Sequence, residues 1–162
     1  MKILYVGGQK SGKSKLAEAK AVELAREKPY YIATYDNSYA DAEMQQRLEK
    51  HKAQRKARFI TIEEPLYLDR VIKTGEVYLV DCLSMWLLNL LEADVSYEAI
   101  LERLLAKDAD IVFVLNTVGS GIIPDNALAR KYIDLSGTVG QIVAARCDEV
   151  YEAVVGLPKQ LK

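Results

Sequence analysis

Ile3-Leu4-Tyr5-Val6-Gly7-Gly8-Gln9-Lys10-Ser11-Gly12-Lys13-Ser14 joins a short apolar run to a glycine-rich stretch, and Lys15-Leu16-Ala17-Glu18-Ala19 after it is helix-forming. Residues 7–14 fit G-x-x-x-x-G-K-[ST], between the strand and the helix that this motif requires. Glycines let backbone N–H groups curl around phosphate oxygens, and the N-terminus of the following helix adds positive dipole. Gly7, Gly8, Gln9, Lys10, Ser11 and Gly12 are therefore candidate phosphate contacts. Lys13 would reach the β/γ-phosphates and the Ser14 hydroxyl would bind Mg²⁺. The competing reading is a glycine turn that happens to open a helix, which makes the preceding strand and following helix coincidences.

Outward from this loop, β-branched and aromatic runs alternate with helical patterns. Strands are expected at Ile3–Val6, Tyr30–Thr34, Phe59–Ile62, Val77–Val80, Ile111–Leu115 and from Glu149 to Val155. Several are continuously apolar, as in strands covered on both faces of a parallel sheet. Helices are expected at about 13–27, 40–56, 66–73, 83–91, 97–107 and 126–146, with Pro29 closing the first. This alternation implies an α/β fold with right-handed crossovers, a mostly parallel sheet flanked by helices. Gly156 and Pro158 mark a turn from which the chain returns as an antiparallel edge strand.

In such sheets ligands bind beyond the carboxyl ends of the strands. Val77-Tyr78-Leu79-Val80 ends in Asp81, which suits the acidic second anchor that a phosphate-loop protein needs for its metal ion. Capping of the helix that begins near Leu83 is the alternative role for Asp81. Glu63 and Asn116 also follow strands and are further candidates. Asn126 reads as the N-cap of the last helix, and Arg130 as a phosphate ligand or a surface ion pair. Trp86 and Met85 read as core or subunit-contact packing.

The 162 residues carry 22 Lys+Arg and 23 Asp+Glu, a net charge of −1, which argues against a dedicated nucleic-acid binder. With 50% hydrophobic and 28% charged residues, one globular domain spanning 1–162 is expected. Such a chain buries roughly two-thirds of its unfolded surface, enough to stand without disulfides or structural metal. Cys82 and Cys147 lie far apart in no metal-like spacing and read as free thiols of the cytoplasm. No secretory signal and no run of about 20 apolar residues suited to a membrane span is visible.

In the second helical stretch Arg47, His51 and Arg55 fall at i, i+4 and i+8, along one face with rungs roughly 6 Å apart. A solvated basic face with an incidental histidine is one reading. The other is a neutral imidazole held between two guanidinium groups, its lone pair free to attack phosphorus while the arginines bind the phosphate oxygens.

These motifs together resemble one family, the bifunctional adenosylcobinamide kinase and adenosylcobinamide-phosphate guanylyltransferase of cobalamin biosynthesis. The resemblance spans nearly the whole chain. It rests on the Gly7-Gly8 form of the loop, Tyr31-Ile32-Ala33-Thr34, Glu43-Met44 with Arg47, His51, Lys52 and Arg55, and Asp81-Cys82 before Asn89-Leu90-Leu91. Asn116, Val118-Gly119-Ser120-Gly121-Ile122-Ile123-Pro124, Asn126, Leu128-Ala129-Arg130 and Asp148-Glu149-Val150 complete it.

The resemblance implies a RecA-like P-loop NTPase fold, a homotrimer, and ATP or GTP, Mg²⁺ and a corrinoid as ligands. It implies phosphorylation of adenosylcobinamide, transfer of GMP from GTP to His51 with release of pyrophosphate, and passage of GMP to the substrate phosphate. Thr34, Arg47, Lys52 and Arg55 join the nucleotide site on the same basis. The sequence departs from the family pattern at Thr117, where an acidic residue is usual, and at Lys10, Lys50, Thr138 and Gly140. A guanylyltransferase alone, a generic P-loop small-molecule kinase, and a nucleotide-switched binding protein are the alternatives.

Overall fold

A computed structural model describes residues 1–35, 57–118 and 123–162. Seven strands form one sheet among these residues: β1 (Lys2–Gly7), β2 (Tyr30–Ala33), β3 (Ile60–Glu63), β4 (Val77–Asp81), β5 (Asp110–Asn116), β6 (Glu149–Val154) and β7 (Leu157–Gln160). Their order is β3-β2-β4-β5-β1-β6-β7, parallel throughout except that β7 runs antiparallel on β6. The expected mostly parallel α/β sheet with an antiparallel edge is therefore present.

The described helices are α1 (Lys13–Leu24), α2 (Leu68–Val71), α3 (Leu83–Glu92), α4 (Glu98–Leu105) and α5 (Ala127–Arg146). Side-chain alternation along the strands divides the core. Ile3, Tyr5, Val112 and Val114 pack with Ala17 and Ala21 of α1 on one face. Leu4, Ile111, Phe113 and Leu115 pack with Trp86, Leu87, Leu104, Val139 and Val143 of α3, α4 and α5 on the other. Both faces are covered, which is why the strands read as unbroken apolar runs.

Three helices are shorter than the periodicity predicts. α1 stops at Leu24, where Ala25 becomes extended, so residues 26–29 turn the chain into β2. The stretch 66–73 contributes one helical turn, because the Glu64 carboxylate accepts the Leu66 and Tyr67 N–H groups at 2.9 and 2.7 Å and builds a local turn first. α4 begins one residue late and ends at Leu105, two short of Lys107. The expected helix 40–56 lies outside the described residues. No described helix is long and apolar enough to cross a membrane.

Candidate functional site

The loop between β1 and α1 stands at the carboxyl edge of the sheet, with β1 flanked by β5 and β6. Lys10 (φ 57°) and Gly12 (φ 93°) take left-handed conformations that reverse the chain into the helix. The Ser11 N–H donates to the Gly8 carbonyl at 3.2 Å, and the Leu16 N–H to the Gly12 carbonyl at 3.1 Å. Gly12 offers the first turn no side-chain acceptor, and that turn holds no acidic residue. An anion placed there meets donors and positive dipole.

Lys13 is 6% exposed, and its Nζ donates to the Gly8 carbonyl at 3.0 Å, so the side chain curls over the loop. Burial pulls its ammonium below the usual value, opposed by the nearby Cys82 and Asp81.

The underside of the loop rests on the β6–β7 turn. The Gly156 N–H donates to the Ser11 carbonyl at 2.8 Å. A Cβ on Gly12 would lie 3.0 Å from Gly156 Cα, and one on Gly7 would lie 2.7 Å from the Ala153 carbonyl oxygen and 2.6 Å from Ser11 Oγ. Gly7 and Gly12 are thus packing requirements as well as motif positions, whereas a Cβ on Gly8 meets nothing within 4 Å.

β4 carries Asp81 to the same edge, two strands from β1 with β5 between them. Asp81 Oδ1 accepts the Ser14 hydroxyl at 3.3 Å, and Oδ2 accepts the Tyr31 phenol at 2.5 Å. Of the two roles open to Asp81, helix capping is not the one adopted: Cys82 is the N-cap of α3 and no side chain caps it. Ser14 and Asp81 together present a hydroxyl and a carboxylate, hard oxygens that fit Mg²⁺ shared with phosphates. Among the described residues no three His, Cys, Asp or Glu side chains gather into a metal cage of their own. A site completed by substrate oxygens matches Mg²⁺ better than a metal held by protein alone.

Thr34 is fully buried and works beside this site. Its hydroxyl donates to the Cys82 carbonyl at 2.9 Å and accepts the Cys82 N–H at 3.0 Å, clipping the residue after β2 to the residue after Asp81. Asn89 adds to the clip, donating to the Thr34 and Pro65 carbonyls at 2.6 and 3.1 Å.

Asn116 ends β5 and its N–H donates to Ser84 Oγ at 2.8 Å. Thr117 follows, its N–H bound to the Gly7 carbonyl at 2.9 Å, so this residue stands beside the phosphate loop. Glu63 closes β3 at the same edge, in register with Ala33. Asn126 caps α5 by accepting the Ala129 N–H at 3.1 Å. The Arg130 guanidinium donates to the Pro124 and Asp125 carbonyls, at 2.8 and 2.6 Å. Arg47, Lys50, His51, Lys52, Arg55, Ser120 and Gly121 lie outside the described residues.

The family model for cobinamide kinase / cobinamide phosphate guanyltransferase matches residues 3–161. The chain belongs to this family. Among similar members, the bifunctional adenosylcobalamin biosynthesis protein CobP of Pseudomonas aeruginosa is 41% identical over 172 residues, covering all of this chain and 98% of its own. The corresponding CobU of Escherichia coli is 33% identical over the full length of both chains. In fold the chain is similar to the flagellar accessory protein FlaH of Methanocaldococcus jannaschii, with TM-score 0.52, 15% identity, and 99% of this chain and 77% of that chain covered. It is also similar to a KaiC-like protein of Pyrococcus horikoshii, with TM-score 0.50, 13% identity, and 93% and 69% covered.

Within this cobinamide kinase / guanyltransferase chain, sequence reasoning missed the hydroxyl of Tyr31, the clip of Asn89, the Ser84 acceptor and the contact of the β6–β7 turn with the phosphate loop. Asn89 and Ser84 carried a signal, being polar residues within the apolar run from Leu83 to Leu91, and both are buried. The contact of the turn with the loop carried none, because it joins residues more than 140 positions apart in sequence.

Proposed function

We propose that this chain performs both reactions of its family as one nucleotide-binding domain of the cytoplasm. It phosphorylates the hydroxyl of adenosylcobinamide with ATP or GTP, then transfers GMP from GTP to yield adenosylcobinamide-GDP. The observation that carries this reading is the Lys13, Ser14 and Asp81 constellation at the sheet's carboxyl edge, in a chain whose family match runs from residue 3 to residue 161. Backbone N–H groups at the start of α1 hold the polyphosphate, and Lys13 leaves the Gly8 carbonyl to bind its oxygens. Mg²⁺, when bound, offsets negative charge on the phosphates and is held by Ser14 and Asp81. In the transfer step an imidazole nitrogen of His51 bonds to the α-phosphorus, and the bond to the β-phosphate oxygen breaks as pyrophosphate departs. Arg47, Lys52 and Arg55 bind the phosphate being attacked. Gly7 through Gly12 shape the loop, Thr34 positions the turn after Asp81, and Glu63, Asn116 and Arg130 border the site. The functional unit is a homotrimer, which light scattering of the purified protein tests.

Incubation with Mg²⁺ and GTP labelled at the α-phosphate tests the transfer. Acid-labile, alkali-stable label is expected on the wild type and absent from His51→Ala and Lys13→Ala. Wild-type protein that binds GTP yet takes up no label excludes the His51 route.

Thr117 favours a second reading, guanylyl transfer without kinase activity. It stands against Gly7 at the mouth of the loop and offers a hydroxyl where the family usually has an acidic residue. Label on His51 without phosphorylation of adenosylcobinamide would select this reading.

A further inference from the structure

We propose that Tyr31 is a positioning residue for the metal–nucleotide site, fixing the carboxylate of Asp81 so that one oxygen faces Ser14 and the phosphate loop. The inference rests on the reading of Ser14 and Asp81 as the Mg²⁺ anchors. Its ground is the unequal treatment of the two carboxylate oxygens. Oδ2 receives the Tyr31 phenol at 2.5 Å, within the range of a strong charge-assisted bond, while Oδ1 receives the Ser14 hydroxyl at a loose 3.3 Å. The tight bond fixes the rotation of the carboxylate, and the loose one is the contact a cation can displace.

Tyr31 is itself held on two sides. β2 runs parallel to β4, with Tyr31 opposite Leu79 and Ala33 opposite Asp81, so the tyrosine and the aspartate are two rungs apart on adjacent strands. The ring is 3% exposed and meets Phe59 edge to face, at 5.8 Å and 77°. A phenol so fixed sets the carboxylate by sheet register, without help from the loop. Phenylalanine would fill the same space and leave Oδ2 free to rotate.

Tyr31→Phe, Asp81→Asn and the double variant separate positioning from packing. Calorimetric titration with GTP in EDTA, and then with GTP over a series of Mg²⁺ concentrations, reads metal-assisted binding with no turnover required. Tyr31→Phe is expected to raise the Mg²⁺ concentration for half-maximal enhancement about tenfold, the worth of one hydrogen bond to a charged group, with GTP affinity in EDTA unchanged. Asp81→Asn should abolish the enhancement, and adding Tyr31→Phe to it should change nothing more. A purely structural tyrosine lowers the unfolding midpoint and leaves the Mg²⁺ titration alone, which overturns the proposal. So does an effect of Tyr31→Phe that persists beside Asp81→Asn. If Asp81→Asn itself titrates like wild type, the Mg²⁺ assignment falls and the proposal with it.

Discussion

Gly7 and Gly8 are adjacent glycines in one motif, yet the structure assigns them opposite costs on substitution. An alanine Cβ at Gly7 meets Ser11 Oγ at 2.6 Å and the Ala153 carbonyl oxygen at 2.7 Å, and at Gly8 it meets nothing. Real Cβ contacts do not lie below 3.0 Å, so Gly7→Ala must push β1 from β6 or lift the loop. The Ser11 hydroxyl can rotate aside, but the Ala153 carbonyl belongs to a strand paired with β1 through Ile3 to Val6 and cannot. Overpacking of this kind costs about 1–3 kcal/mol. For a chain of this length that lowers the melting temperature by about 3–10 °C. Gly8 has no left-handed φ, so Gly8→Ala should stay within about 0.5 kcal/mol of wild type. Gly7→Ala combined with Ser11→Gly should recover only part of the loss, since the carbonyl contact remains. Urea unfolding of the four proteins reads these differences directly. Equal costs at Gly7 and Gly8, or full recovery in the double variant, would refute the packing of the loop on the β6–β7 hairpin.

Three further outcomes follow from the geometry. Thr34→Val keeps the shape but leaves the Cys82 N–H and carbonyl without their partner, so it should cost about 1–3 kcal/mol in urea unfolding, while Thr34→Ser retains most of the stability. Asp69 is 6% exposed and rests on Arg103 at 2.6 Å, so Arg103→Leu should cost about 1–3 kcal/mol, with water at the exposed arginine side limiting the loss. Stability should also fall in alkali. Burial, reinforced by Asp148, raises the Cys147 thiol from 9.0 to about 12, so its contribution is complete below pH 9 and is lost as pH rises toward 12. Burial beside Asp81 raises Cys82 to about 11 in the same sense. Each thiol adds a slope of up to about 1.4 kcal/mol per pH unit, and Tyr5, raised by burial from 10.0 to about 12, adds to the same decline, so Cys147→Ala should make the loss between pH 9.5 and 10.5 shallower without removing it. An unchanged decline in that variant would show that Cys147 does not take part.

The strands, the phosphate loop and the family are legible in the amino-acid sequence, because each is a local signal. Apolar runs such as Ile111–Leu115 record burial on two faces, and Gly7 to Ser14 carries its chemistry in consecutive residues. Asp81 was legible as a carboxylate after a buried strand, but its choice between capping and the Ser14 contact was not. That choice depends on β4 lying two strands from β1, with Tyr31 of β2 on its other side. Helix ends were equally undecided, since Glu64 takes the N–H groups that periodicity alone would give to a longer α2. Only tertiary structure placed Gly156 beneath the loop, Thr34 against Cys82 and the Tyr31 phenol on Asp81. Such contacts are set by which strands become neighbours and in what register. Those are properties of the assembled sheet, and no short window of sequence encodes them.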